Sequence, residues 1–187
     1  MHRIFVSAFA QISRCLLIAV LVALGAPAGA ADRAALERDA RSSYQKLIGK
    51  VSAAKSLSRD AVAVLVFPKI TKAGLVVGGQ HGDGVLFRND KAVGYYNTSG
   101  ASYGLQAGAQ QYGYAMFFMN EKSLDALSQS EGFEVGIGPS IVVVDEGKGK
   151  SLTSTTVKDD IYAFIFSQKG LMAGLGLQGN KITRLHD

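Results

Sequence analysis

The sequence predicts an α+β domain that is mainly β: an antiparallel, glycine-rich, barrel-like core with a few helices packed on its outside. Two observations lead there. Nineteen of the 22 glycines lie from Gly74 onward, mixed with Val, Ile, Tyr and Phe, and glycine at strand positions lets a sheet bend and turn corners. In the same region β-rich runs alternate with turn signals, whereas helical periodicity is confined to residues 32–57 and 120–129.

The chain opens "MHRIFVSAFAQISRCLLIAVLVALGAPAGAAD", with Arg3 and Arg14 as its only basic residues and an apolar run from Cys15 to Leu24. Ala28-Gly29-Ala30 fits the small-residue cleavage rule. The reading is a secretory signal peptide over residues 1–30, cut after Ala30, with a single mature domain over 31–187. Its apolar core falls well short of the roughly 20 residues a spanning helix needs. Cys15 is the only cysteine and lacks the small, apolar lead-in of a lipidation site, so the mature chain is read as free of thiols. The leader places the protein in the periplasm or cell envelope, at the cell surface, or outside the cell. Removing Arg3 and Arg14 lowers the formal net charge from +5 to +3, a mild value that points to no nucleic-acid partner.

In the mature chain, Leu36, Ala40, Tyr44, Leu47, Val51 and Ala54 recur at helical spacing, with Ile48 at the edge of their arc. This predicts one helix over 32–57, capped by Asp32 and bent at Gly49. "AVAVLVFP" reads as a strand ended by Pro68. "GLVVGGQHGDGVLF" reads as one or two short strands, and "GVLFRNDKAVGYY" as a hairpin turning at Asn89-Asp90. "SYGLQAGAQQYGYAMFF" is a long strand. Asn120 is expected to cap a short helix with Leu124 and Leu127 inward. "GFEVGIGPSIVVV" is a further strand, "DEGKGKSLTSTTVKDD" a polar loop, and the end divides into three strands turning at Gln168-Lys169-Gly170 and Gly179-Asn180.

Two strings imitate enzyme motifs. "GASYG" at 100–104 fits the nucleophile elbow G-x-S-x-G, and Asp145 and His186 follow Ser102 in the order of a hydrolase triad. No amphipathic helix follows the serine, however, and His186 is the penultimate residue. "GLGLQG", with Gly174, Gly176 and Gly179, fits the dinucleotide fingerprint but leaves only eight residues for the helix and acidic residue the fold requires. His81 and Asp83 supply two metal-type ligands on one segment, too few for a site. The sequence therefore predicts no catalytic centre, no metal and no cofactor.

The charges suit a surface. Arg38, Arg41, Lys46 and Lys50 flank or back the apolar arc of the first helix, as in a helix lying in a bilayer interface with its basic side chains reaching phosphates. The other reading is that the arc packs on the domain and the charges are a solvated face; the two are compatible if only the basic flank meets lipid. Lys69 and Lys72, in "FPKITKAG", are further basic candidates. The segment "VLVFPKITKAGLVVGGQHGDGVLF", followed by "SGASYGLQAGAQ", resembles the SYLF domain family, also called the lipid-binding SYLF domain. The matching features are Pro68, Ala73-Gly74, the cluster Gly78, Gly79, Gly82 and Gly84, and the pair Gly104 and Gly108. The resemblance runs from about 34 to 185. It implies a barrel-like core with outer helices, structural glycines at those positions, and binding of phosphoinositides or other acidic phospholipids through an N-terminal amphipathic helix. Some eukaryotic members also act on actin. The expected export leader would separate the chain from cytoplasmic actin, and no SH3 or FYVE domain is read in this sequence.

The leading expectation is thus an exported, non-enzymatic lipid-binding module. Two others stand beside it: a domain that docks an envelope protein and ignores lipid, and a small outer-membrane β-barrel, which the helical start and the "RLHD" end disfavour.

Overall fold

The computed structural model describes residues 28–128, 133–134, 141–145, 159–170 and 180–186. Contacts divide the chain after Ala35, and the second unit, Leu36–Asp187, holds the sheet. The mainly β, α+β class holds, with the sheet curled into a half-barrel. In order the elements are α1 (Ala28–Lys50), α2 (Ser52–Asp60), β1 (Ala63–Arg88), β2 (Lys91–Phe118), α3 (Glu121–Leu127), β3 (Phe133–Glu134), β4 (Ile141–Asp145), β5 (Ile161–Gly170) and β6 (Lys181–Arg184).

The expected single helix over 32–57 is two. Val51 takes an extended conformation (φ −109°, ψ 107°) and separates α1 from α2, two residues after Gly49. Asp32 does not cap: α1 starts at Ala28, so the alanine-rich stretch before Asp32 is already helical.

The expected series of short strands is instead dominated by two long ones. β1 and β2 pair antiparallel from Ala63↔Phe118 to Arg88↔Lys91. The ribbon closes at Asn89-Asp90, both at positive φ (49° and 60°), the two-residue turn whose twist suits a hairpin. Pro68 does not end a strand. It lies in a bulge between Phe67 and Ile70 where β1 carries one residue more than β2, a position that tolerates a missing N–H.

A second, larger register shift between Leu75 and Val77 marks where the ribbon folds in half. A Cβ on Gly82 would lie 2.7 Å from the Lys69 carbonyl oxygen, and one on Gly84 would strike the Phe67 ring. On Gly74 it would strike the backbone of Gly78. These contacts nest about Val76, so the two arms of β1 lie against each other. Arg88, at the end of β1, accordingly pairs with Glu121, just beyond the end of β2, where Phe118 pairs with Ala63 at the start of the other arm.

The remaining strands extend β2. β5 pairs with its C-terminal arm, β6 with its N-terminal arm and β3 with β6, all antiparallel. β4 runs parallel to β5, a departure from the wholly antiparallel sheet expected. Gln168-Lys169-Gly170 is not a turn: β5 continues through it, with Gln111↔Lys169 and Gln110↔Gly170. The irregularity falls at Ser167 (φ 53°), where β5 bulges opposite Gly113. The expected turn at Gly179 and most of the polar loop lie outside the described residues.

Alternation along each strand builds two cores. On one face Leu65, Phe67, Ile70, Tyr114, Met116, Phe118 and Ile165 pack together, with Leu124 and Leu127 of α3 joining them. Asn120 caps α3 as expected, its side chain accepting from the Ser123 N–H at 2.9 Å. On the other face Val64, Val66, Phe87, Phe117 and Phe164 meet Ala40 and Leu47 of α1, Ala54 and Leu57 of α2, and Val51 between them. Tyr44 lies 6.2 Å from Phe117, which meets Phe164 edge-on at 5.4 Å. Helices thus pack on both faces, α3 on the first and α1 and α2 on the second.

Candidate functional site

The apolar stripe of the first helices is buried on the sheet. Of its two readings, packing on the domain is the one the structure shows, and the stripe is not a face left open to acyl chains. What α1 leaves outside is its flank, and the basic residues divide according to position.

Lys46 and Lys69 are both exposed and line one groove of about 360 Å³ between α1 and β1. Local structure explains each. Asp39, Ser43 and Lys46 recur at helical spacing along one edge of the buried stripe, and the Pro68 bulge lies beside Lys69, which stands in solvent. Lys50 is one turn beyond Lys46 on the same flank and is exposed in the last turn of α1. The groove is not purely basic: Asp39 and Asp83 line it too, with the Ser42 and Ser43 residues between the charges. A second groove of about 390 Å³, between the arms of β1, shares Lys69 and Asp83 with the first.

The other candidates separate from this pair. Arg38 is exposed farther round the helix. Arg41 is a clamp: its guanidinium pairs with Glu37 at 3.1 Å, donates to the Asp90 carbonyl oxygen at 3.0 Å and lies 4.9 Å from the centre of the Phe87 ring. It ties α1 to the hairpin tip. Lys72 is only 3% exposed and belongs to the interior, which corrects its assignment to a surface.

That interior turns polar toward the ribbon bend. Tyr112 donates from its hydroxyl to Gln80 Oε1 at 3.1 Å, and Gln110, Thr98 and Asn180 are buried as well. Burial pushes the Tyr112 hydroxyl up to about 12. The fully enclosed Tyr114 is raised further, by burial and by neighbouring Tyr112.

The glycines also separate by role. Gly74, Gly82 and Gly84 have no room for a side chain, whereas at Gly79 the nearest atom is 4.0 Å away. Gly108 has φ 136°, a conformation that other residues rarely adopt. Gly78 pairs with Ser102, and Gly104 lies in the irregular stretch of β2 between Tyr103 and Ala107.

Ser102 therefore stands within an antiparallel ladder and not in a strand–turn–helix elbow. Asn97, which sequence reasoning passed over, donates to Asp83 Oδ1 at 2.7 Å, and His81 Nε2 lies 3.9 Å from the same oxygen. Among the described residues no group of three or more His, Cys, Asp or Glu could hold a metal ion.

Residues 99–187 match the family model described as Ysc84, Las17-binding protein actin regulator. That match supports assignment to the SYLF domain family. The matched part begins within β2 and takes in α3 and β3 to β6; the β1 glycines and the groove lysines precede it. No curated protein matches the chain. The family is consistent with a lipid-binding or actin-regulator-like module.

Proposed function

We propose that the chain is an exported, non-enzymatic lipid-binding module whose basic flank, Lys46, Lys50 and Lys69, meets acidic phospholipid head groups. The observation that carries this reading is the convergence of Lys46 and Lys69, from different elements, at one exposed groove. Ammonium groups held at a rim can approach lipid phosphates while Asp39 and Asp83 keep the groove from binding anions indiscriminately. Basic residues near an anionic membrane contribute about 1 kcal/mol each, so this flank acts as a peripheral and salt-sensitive contact. Phosphoinositides present the same phosphate chemistry at higher charge density and are the finer form of the proposal. The leader sequence supports export to the envelope.

The family description supports a second reading, in which the same flank docks a protein. Co-sedimentation of the exported, processed protein with neutral and anionic vesicles, at low and high salt, separates the two. Binding that requires anionic lipid and fades with salt supports the lipid reading. Absence of binding by folded protein refutes it and leaves the protein partner.

A further inference from the structure

The lysine flank accounts for charge but not for the uncharged end of the β1–β2 ribbon, where it folds in half. Between Lys72 and Asp83 β1 carries no Asp, Glu, Lys or Arg, and β2 carries none between Lys91 and Glu121. Among the described residues the exposed positions nearest the fold are small or apolar, namely Ala73, Gly79, Ala101, Gly108 and Ala109, and the polar Thr71, His81, Ser99 and Gln111 are exposed farther along the arms. Val77 stands among them 62% exposed, well above the other exposed large hydrophobic residues. The opposite end of the ribbon, by contrast, carries Arg88, Asp90, Lys91 and Glu121.

Exposed lysines border this uncharged end. Lys169 lies opposite Gln111, itself paired with Thr71, and Lys181 lies opposite Ser99, itself paired with His81. Each is therefore five residues from the fold at Val76, about 16 Å at roughly 3.3 Å per residue. Lys181 also faces Glu134 across the β3–β6 ladder, and Lys69 stands two residues farther from the fold along β1 than Thr71. Apolar tip below and flexible cations above is the arrangement that settles in a bilayer interface. The tip enters about 5–10 Å and lysine stems reach back to the phosphates.

We propose that the fold of the β1–β2 ribbon, with Val77 at its tip, inserts into the interface of an anionic bilayer. The inference rests on the lipid reading above and adds its depth-determining element, a strand bend in place of a helix face. Val77 and the exposed alanines and glycines beside it, Ala73, Gly79, Ala101, Gly108 and Ala109, carry no polar side chain to desolvate, and the border lysines limit how far the tip goes.

The chain has no tryptophan, so one introduced indole reports alone. Val77→Trp and Val93→Trp, the latter at an exposed site toward the charged end, are compared in the exported, processed protein. The vesicles contain phosphatidylglycerol and acyl-brominated phosphatidylcholine. The expected result is a blue-shifted emission from the Val77→Trp protein, quenched at least about twofold more than emission from the Val93→Trp protein. A protein that sediments with vesicles but quenches equally at both sites overturns the insertion and leaves the lipid reading standing. No sedimentation overturns both. Val77→Asp, at a site too exposed to affect folding, is expected to weaken vesicle binding about tenfold; unchanged affinity also overturns the proposal.

Discussion

The folded ribbon makes one glycine far more demanding than its neighbour, and Gly82→Ala tests that directly. A Cβ at residue 82 would lie 2.7 Å from the Lys69 carbonyl oxygen, 2.9 Å from Ile70 Cγ1 and 3.0 Å from Ile70 Cα. Ordinary Cβ contacts begin near 3.4 Å, so the arms of β1 must part by about 0.7 Å. The nearest atom is backbone, and no side-chain rotation relieves it. Overpacking of this kind costs about 1–3 kcal/mol, offset in part by the roughly 0.4–1 kcal/mol that alanine removes from unfolded-chain entropy. The expected net loss is about 1–2 kcal/mol, a fall of about 2–8 °C in Tm at 2–4 °C per kcal/mol for a chain of this size. Gly79→Ala is the control: its nearest neighbour is 4.0 Å away, so it should be neutral or up to about 1 kcal/mol stabilising. Urea and thermal unfolding of both variants, followed by circular dichroism, give the comparison. If Gly82→Ala is no less stable than Gly79→Ala, the packing of the β1 arms is wrong.

Three further outcomes follow. Arg41→Ala removes the Glu37 pair, the hydrogen bond to Asp90 and the stack on Phe87. It should cost about 1–2 kcal/mol in unfolding experiments while changing vesicle affinity less than loss of Lys46 or Lys69. Asn120→Ala removes the α3 cap and the Asp160 contact at 2.8 Å and should cost about 1–2 kcal/mol in urea titration. The third concerns alkali. Tyr112 titrates near 12 when folded against about 10 when unfolded. Its contribution to stability is therefore complete below pH 10 and is lost as pH rises toward 12. Urea midpoints should fall across that window, and less steeply in Tyr112→Phe.

Much of this was legible in the sequence because the signal was local. The Asn89-Asp90 turn, the Asn120 cap and the buried stripe of α1 and α2 each follow from residues within a turn or two of one another. The basic flank was legible in part: periodicity aligns Lys46 and Lys50, but Lys69 joins them only through the Pro68 bulge and the docking of α1. Lys72 illustrates the limit. Its neighbours in sequence resemble a surface lysine's, yet strand alternation after the bulge turns it inward. Pro68 was misread as an end because proline excludes a ladder hydrogen bond, and a bulge satisfies that exclusion without ending the strand. The ribbon's fold was hidden for a different reason. Glycines permit a bend wherever they occur, and only the contacts between arms reveal which of them require one.

Affinity for anionic vesicles reports on the groove lysines themselves. Lys46→Gln/Lys69→Gln is compared with Lys91→Gln/Lys122→Gln, an exposed pair of equal charge away from the groove. At about 1 kcal/mol for each lysine, the groove pair should weaken binding by roughly 30-fold, with the control pair much closer to the unsubstituted protein. Equal losses in the two variants would show that overall charge, and not this flank, carries the interaction, contradicting the account.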